Sequence, residues 1–394
     1  YETLDAQDGL FHVILRGVQN GQPVSDVRRI DCLTRSVYPH VDFAPFLALA
    51  EQPEIRFLIS NTTESGIVYD ESDQATDEPP RSFPAKLTVF LHHRYQHYQG
   101  AADKGCIILP TELISDNGAQ LKRFVLQYAE QWGLDAGFTA WINQHNVFCN
   151  TLVDRIVTGF LPDEAADLQA QIGYQDDLFV TGEPYHSWII EGPDSVAEEL
   201  HLADSTLNIK VVPDAEPSRE TKVRILNGLH TTMAMTGPLL GLETVRGAIE
   251  HTAFRQMLMD MLYQEIIPAM DLPQDELSAF AEDVFDRFAN PHIQHKLLNI
   301  ALNTSSKART RLLPSILDYQ AKFDRLPPRL MLAFASFVRF YQGEWQGQTL
   351  PLQDDDAVIA QFRQWWAEAD SPHTLASMVL AQTSLWGRDL TQIP

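Results

Sequence analysis

The hydrophobic pattern of the chain changes once, between Asp214 and Glu220, and this change constrains the fold more than any other feature. Before it, short apolar runs of strand length alternate with stretches whose apolar residues recur at helical spacing. After it, strand patterns nearly vanish and helical periods follow one another, with proline at several junctions. We therefore predict two domains, a parallel-sheet α/β domain at residues 1–217 and an all-α domain at residues 218–394.

The first part reads as strands joined by helices. A strand at 54–61, a helix at 85–98 and a strand at 104–110 predict a right-handed crossover unit and hence a parallel sheet. A strand is also predicted at 10–17, a helix at 117–132, and later strands at 187–190 and 207–212. The second part predicts helices over 221–235, 242–267, 277–288, 293–303, 329–341 and 356–369.

Charge and composition exclude some classes of partner. The formal net charge is −24, so nucleic acid and anionic membrane surfaces would be repelled. No apolar run reaches the roughly 18–20 residues that span a bilayer. Three widely spaced cysteines fit neither a disulfide framework nor a zinc site, and they indicate reduced thiols of a cytoplasmic protein. We expect Cys106 and Cys149 to pack in the core, and the sequence leaves the oligomeric state open.

Lys222, Asn227 and His230 form the first candidate for chemistry, at the start of a predicted helix. At 100° per residue, His230 lies angularly between the other two side chains. A lysine can protonate a carbonyl oxygen, an amide can donate to developing charge, and an imidazole can orient either partner. Gly228 beside Asn227 would let a ligand approach the backbone. By itself, such spacing is more often only the polar first turn of an amphipathic helix.

Further segments give this candidate a family context. Lys222, Asn227 and His230 match the Lys-x4-Asn-x2-His signature of the polyol-specific long-chain dehydrogenases, the mannitol dehydrogenase family. Phe148-Cys-Asn-Thr-Leu-Val-Asp-Arg-Ile156 is similar to a second family signature, and Ile59-Ser-Asn-Thr-Thr-Glu-Ser-Gly66 to a third. With 108–118 and Asn290-Pro-His-Ile293, the resemblance covers nearly the whole chain.

The resemblance implies a metal-free, NAD-dependent reduction of a small sugar substrate. It implies a Rossmann-like domain followed by a helical substrate domain, with Lys222 as the acid and Asn227 and His230 in support. A carbonyl-polarising asparagine of the family corresponds to Asn117, and Asp154 is placed where substrate and cofactor meet. Contacts to the nicotinamide are implied for Asn61, Thr62, Thr63 and Glu64. No Gly-rich phosphate turn occurs from Tyr1 onward, because Gly17–Gly21 leads into a polar hairpin-like stretch, so we expect an incomplete N-terminus.

A substrate with a carboxylate would need a local basic cluster in this acidic chain. Lys307, Arg309 and Arg311 form the densest one, and Arg155 and Arg224 are further candidates. A solvated basic turn explains the cluster equally well. The predicted substrate is a keto-hexuronate, with a neutral ketose as an alternative, and a chain that binds a sugar acid without catalysis as another. His93 and His97 are one helical turn apart but lack a third ligand, so we predict no metal.

Overall fold

The computed structural model describes residues 1–63 and 65–393 of the chain. Its strands are β1 Phe11–Gln19, β2 Gln22–Ile30, β3 Phe57–Ser60, β4 Ile107–Pro110, β5 Val147–Phe148, β6 Asn150–Asp154, β7 Val157–Gly159, β8 Val180–Gly182, β9 Ser187–Glu191, β10 Ile209–Val212, β11 Glu344–Trp345 and β12 Gln348–Thr349.

The α-helices are α1 Glu2–Ala6, α2 Ala44–Ala50, α3 Phe83–His97, α4 Asn117–Gln131, α5 Ala136–His145, α6 Ala165–Ile172, α7 Asp194–Glu199, α8 Glu216–Thr221, α9 Gly228–Thr236, α10 Val245–Glu250, α11 Thr252–Met261, α12 Ile267–Ala269, α13 Gln274–Phe288, α14 Leu297–Ile300, α15 Thr304–Lys307, α16 Leu313–Phe323, α17 Pro328–Phe340, α18 Asp356–Glu368, α19 Pro372–Leu380 and α20 Thr383–Trp386. Short stretches of π-helix occupy Lys222–Asn227, Leu262–Ile266 and Ala308–Leu312.

The chain divides into two compact units. The first contains residues 1–15 and 25–216, and the second contains residues 16–24 and 217–394. The main division falls between Glu216 and Pro217, inside the stretch where the hydrophobic pattern changes. The fold is an α/β part followed by a helical part, as the pattern predicted.

The first unit is built around the predicted crossover. β3 and β4 pair in parallel, with Phe57 opposite Ile107, and α3 connects them. β5 continues this sheet on the other side of β4, again in parallel. A second sheet has the order β10-β9-β6, and a third has the order β2-β1-β8-β7. The predicted parallel crossover is therefore confirmed.

Strand β4 shows why this sheet needs cover on both faces. Cys106 and Ile108 pack with the apolar sides of α3 and α4, while Ile107 and Leu109 pack with Cys149, Ile190 and Val196 on the other face. All four residues of β4 are buried. A continuous apolar run is what a central parallel strand requires, because successive side chains point to opposite faces. The expected burial of Cys106 and Cys149 is confirmed.

Strands β1 and β2 form a hairpin closed by Asn20 and Gly21. Both residues have positive φ, 52° and 70°, which is the backbone of a type I′ turn. Asparagine and glycine are the residues that adopt this turn most readily. The predicted hairpin-like continuation after Gly17 is confirmed, and it leads into a strand.

The second unit is helical and has α9 at its centre. Every residue of α9 except His230 is buried, and α14 and α17 pack against it. A helix that is buried nearly all round belongs to the interior of its domain. Its side chains join a large apolar cluster with residues of α11, α13 and α17.

Several predicted helices differ in detail from the observed ones. The period at 242–267 is broken into α10, α11 and a π stretch, because His251 caps a new helix by accepting from the amide of Phe254. At 293–303 only Leu297–Ile300 is helical. Residues 344–349 form the small hairpin β11–β12, which the sequence did not predict. Helix 221–235 is α-helical only from Gly228, since Lys222–Asn227 is π-helical.

Candidate active site

The carboxyl ends of β3 and β4 bring together Ser60, Thr62 and Glu112. The Glu112 side chain is buried, with 3% of the residue exposed. It accepts from Ser60 Oγ at 2.9 Å, from the Thr62 backbone amide at 2.9 Å and from Thr62 Oγ1 at 2.8 Å. Ligands of open α/β sheets bind outside this edge of the strands. The segment that the resemblance assigned to the nicotinamide is therefore held at a ligand-binding edge of the first unit.

The structure describes three of the four residues that were predicted to contact the nicotinamide. Asn61, Thr62 and Thr63 are exposed at the end of β3. Gly66 lies so close that a Cβ there would come within 1.9 Å of Thr62 Oγ1, so the turn requires glycine. Glu64, the fourth predicted contact, lies outside the described residues.

Asn117 has a different environment from the one expected of a carbonyl-polarising group. Its Nδ2 donates to the carbonyls of Pro110, Glu112 and Thr151 at 3.0–3.1 Å. Its Oδ1 accepts from the amides of Gly118 and Thr151. The residue is completely buried, and backbone groups occupy both ends of its amide. Asn117 fastens β4, α4 and β6 together, and we assign it this structural role in place of a catalytic one.

Asp154 and Arg155 follow each other at the end of β6. Asp154 is half-buried and lies opposite Ser187 of β9. Arg155 is exposed, and its guanidinium donates to the carbonyls of Tyr185 and Pro184 at 3.1 and 3.2 Å. Neighbouring atoms partly desolvate the guanidinium and lower the pKa of Arg155, while the charge of Glu183 opposes that shift. The backbone contacts indicate that Arg155 holds the neighbouring loop.

In the second unit, the π-helical turn changes how Lys222 and Asn227 are arranged. A π turn joins residues five apart, which is the separation of these two residues. The wider turn brings their side chains closer around the axis than the α-helical spacing predicted. π turns occur often at functional sites. Lys222 is half-buried, and within the described residues the side-chain amide of Asn227 makes no hydrogen bond.

His230 lies among basic and aromatic groups one turn further along. Its ring contacts Phe288 at 4.6 Å and His295 at 5.0 Å, measured between ring centroids. Its Nε2 is shielded from solvent and has no hydrogen-bond partner in the described part of the chain. Burial and then the charges of His295, Arg287, Arg311 and Lys307 hold its pKa well below the ordinary value. A shielded nitrogen without a partner in a positive environment is suited to accept from a bound hydroxyl.

The three side chains of the predicted basic cluster point in different directions. Lys307 donates to the carbonyl of Ile300 at 2.6 Å, and Arg311 donates to Thr231 Oγ1 at 3.3 Å. Burial lowers the pKa of both groups, and both act on His230. Arg309 is exposed and approaches Gly387 instead, so that a Cβ on Gly387 would lie 3.2 Å from its guanidinium. We therefore keep Lys307 and Arg311 as candidate anion ligands and assign Arg309 to the surface.

Arg224 is a buried structural group. It donates to Ser315 Oγ at 2.6 Å and pairs with Glu220 and Asp318. These contacts use its guanidinium to join the helix 216–236 to α16. Gly228 also differs from expectation, because a Cβ there would face the Arg311 carbonyl at 3.5 Å. Gly228 is buried and faces the π-helical stretch 308–312.

Sequence reasoning missed Glu112, Arg287 and His295. Glu112 comes two residues after the buried strand β4, which pairs with the strand that precedes Thr62, and this position was a usable signal. Arg287 lies on the buried face of α13 with Val284 and Phe288, where a charged residue interrupts an apolar pattern. His295 follows the Asn290-Pro291 break in irregular chain, where no local pattern points to it.

Comparison with known proteins identifies the family. Residues 1–204 match the Mannitol dehydrogenase Rossmann domain, and residues 214–394 match the Mannitol dehydrogenase C-terminal domain. The chain belongs to the mannitol dehydrogenase family, and the predicted membership is confirmed.

Two relatives show how similar individual members are. The altronate oxidoreductase of Yersinia enterocolitica is 46% identical over 397 residues, which span all of this chain and 82% of that protein. The altronate oxidoreductase of Bacillus subtilis is 44% identical over 394 residues, which span all of this chain and 81% of that protein.

Solved structures agree in fold. A D-sorbitol dehydrogenase in substrate-free form superposes with a TM-score of 0.78 at 22% identity, covering all of this chain and 85% of the other. The Pseudomonas fluorescens mannitol 2-dehydrogenase, a ternary complex with NAD and D-mannitol, gives 0.63 at 20% identity and covers 79% of that chain. At these identities the similarities concern the fold.

Proposed function

We propose that this protein is an NAD-dependent oxidoreductase that interconverts D-tagaturonate and D-altronate. The observation that carries the choice of a sugar acid is the basic environment of His230. Lys307, Arg311, Arg287 and His295 all act on that imidazole, in a chain whose formal net charge is −24. Lys307 and Arg311 are partly desolvated cations, and such groups bind an anionic ligand favourably. The names of the relatives at 44–46% identity support the same substrate.

In this proposal the cofactor binds at the carboxyl edge of β3 and β4. Thr62 is exposed there with its hydroxyl oriented by Glu112, and Gly66 keeps the turn tight. Thr62, Asn61 and Thr63 would hold the nicotinamide half, with Asp154 near the substrate. NADH supplies the hydride that reduces the ketone to the secondary alcohol.

Residues of the chain transfer the proton to the ketone oxygen and stabilise the negative charge that develops on it. Lys222 donates a proton to the ketone oxygen during reduction and removes it during oxidation. Asn227 donates a hydrogen bond to the same oxygen, where negative charge develops. Neutral His230 accepts from a neighbouring substrate hydroxyl through Nε2. Lys307 and Arg311 hold the substrate carboxylate.

The two units divide this work. We propose residues 1–217 as the cofactor domain and residues 218–394 as the substrate domain, although residues 16–24 group with the second unit. Within the described residues, no helix is long and apolar enough to cross a membrane. We place the protein in the cytoplasm, where its nicotinamide cofactor is found, with a small sugar acid as its partner and with neither nucleic acid nor membrane.

A substrate panel tests the proposal. Full-length protein with NADH is assayed on tagaturonate, fructuronate and fructose, and kcat/KM is compared. We expect the highest kcat/KM with tagaturonate. Fructose lacks the carboxylate, and the names of the relatives favour tagaturonate over fructuronate. A preference for fructose would refute the sugar-acid assignment. A preference for fructuronate would keep the enzyme class and change the substrate.

A further inference from the structure

Glu112 is a buried carboxylate with no part in the proton transfer described above. It receives three hydrogen bonds, one from Ser60 at the end of β3 and two from Thr62 in the loop that follows. A carboxylate can only accept. The hydroxyl protons of Ser60 and Thr62 are therefore both directed toward Glu112. Thr62 Oγ1 also lies 3.5 Å from the Thr63 carbonyl, but that contact is much longer than its 2.8 Å contact with Glu112.

The direction of these protons determines what the loop can bind. Thr62 is exposed, and once its proton is committed its oxygen offers only lone pairs. A ligand group at this position must therefore be a hydrogen-bond donor. The nicotinamide half of the cofactor has two kinds of donor, the carboxamide N–H and the ribose hydroxyls. A phosphate oxygen would be repelled.

The backbone on both sides holds Glu112 in place. The Thr111 amide and Oγ1 donate to the Ser60 carbonyl at 2.8 and 2.7 Å. Asn117 Nδ2 donates to the Glu112 carbonyl at 3.0 Å. The carboxylate is thus fixed by β4 and α4 while it fixes the loop after β3.

We infer that Glu112 is a positioning residue that holds the loop at Ser60–Thr62 and sets Thr62 to accept from a donor of the nicotinamide riboside. This inference rests on the proposed function, because it takes NAD as the ligand. Removing a hydrogen bond to a charged group costs about tenfold to a hundredfold in an equilibrium constant.

The experiment measures NADH binding by fluorescence and amide exchange at Thr62 in full-length protein. Glu112→Ala should raise the Kd for NADH at least about tenfold and speed exchange of the Thr62 amide. Glu112→Gln keeps an acceptor for Thr62 and should stay within about threefold of the parent Kd. Thr62→Val keeps the backbone bond but removes the Oγ1 acceptor, so it should raise the Kd while Thr62→Ser should not. Glu130→Ala, an exposed glutamate on α4, is the matched control.

Repeating the titration with the reduced acetylpyridine analogue identifies the donor, because its acetyl group has no N–H. A smaller penalty for Thr62→Val with the analogue assigns the carboxamide, and an equal penalty assigns a ribose hydroxyl. Unchanged NADH binding in Glu112→Ala, or an equal loss in Glu130→Ala, overturns the inference. Failure of the parent protein to bind NADH would refute the proposed cofactor itself, which is a distinct result.

Discussion

Glu112 and His230 are both withdrawn from solvent at their polar atoms, and their surroundings have opposite character. Donors converge on Glu112, whereas basic groups surround His230. The first arrangement fixes an acceptor and the loop attached to it. The second keeps an imidazole neutral and leaves one ring nitrogen without a partner among the residues that the structure describes. Each residue has a role that follows from its neighbours and could not be read from its identity.

Lys222 carries the central mechanistic prediction. Lys222→Ala should lower kcat roughly 10²–10⁴-fold, the usual contribution of a general acid. Lys210→Ala, at an exposed position in β10, is the control and should leave kcat unchanged. Steady-state assays with tagaturonate and NADH measure both. If Lys222→Ala stayed within about tenfold of the parent, the lysine would not be the acid.

The lowered pKa of His230 predicts that the free energy of unfolding decreases in acid. Its pKa is well below the ordinary value in the folded protein and near about 6.5 in the unfolded chain. Above pH 6.5 both states are neutral, so His230 adds no pH dependence. Below it, the unfolded chain binds a proton that the folded protein does not, and the free energy of unfolding falls by at most about 1.4 kcal/mol per pH unit.

Urea unfolding at several values between about pH 5 and pH 8 measures this slope. His230→Asn should make the slope below pH 6.5 shallower, whatever it does to stability at neutral pH. His373→Asn, at an exposed position, should keep the parent slope. An unchanged slope in His230→Asn would show that the imidazole does not titrate as proposed.

Arg311 and Arg309 offer a matched pair for the substrate carboxylate. Arg311 points toward His230 and Thr231, and Arg309 toward Gly387. Arg311→Met should raise the KM for tagaturonate by about tenfold to a hundredfold, since a charge-assisted hydrogen bond is lost. Arg309→Met should change it by less than about threefold. Equal effects of the two substitutions would contradict the assignment.

At the scale of elements, two glycines differ in how closely a neighbouring backbone approaches them. A Cβ on Gly118, at the start of α4, would lie 2.1 Å from the carbonyl oxygen of Cys149. A Cβ on Gly228, at the start of α9, would meet the Arg311 carbonyl at 3.5 Å, an ordinary contact. The first glycine is required by packing, and the second is only tolerated by the helix.

These two positions should respond to alanine in opposite directions. Gly118→Ala should lower the free energy of unfolding by at least roughly 1–3 kcal/mol, because backbone atoms must move. Gly228→Ala should raise it by about 0.5–1 kcal/mol, because glycine is a poor helix former. Urea denaturation of both variants checks the signs, and a stabilising Gly118→Ala would contradict the described packing.

Periodicity predicted those elements whose pattern is local. The β3, α3, β4 crossover and helices α4, α13 and α17 follow from apolar spacing that tertiary contacts reinforce. The π turn at Lys222–Asn227 was missed because it has no residue pattern of its own; it contacts the π-helical stretch 308–312. The family motif located Lys222 and Asn227, but spacing alone could not reveal that Asn117 is saturated by backbone groups or that Arg309 faces Gly387.

At the scale of the whole molecule, the formal net charge of −24 opposes the compact state through self-repulsion. Raising NaCl from about 0.01 M to about 0.15 M shortens the Debye length from about 30 Å to about 8 Å. Tm should therefore rise with salt over this range. Exposed ion pairs such as Arg28–Asp26 also weaken, but such pairs contribute little. Differential scanning calorimetry checks the direction, and choline chloride at equal ionic strength should give the same rise.

The tip of the β1–β2 hairpin, residues 16–24, is grouped with the second unit. Asp286 accepts from the Gly21 amide, and Asn290 donates to the Arg16 carbonyl, contacts that join residues 265 and 274 positions apart. During synthesis on the ribosome, this tip therefore emerges long before the helix that binds it. The second unit can be completed only when residues near both ends of the chain have been made, so a gene fragment that starts at residue 217 encodes a domain with one piece missing.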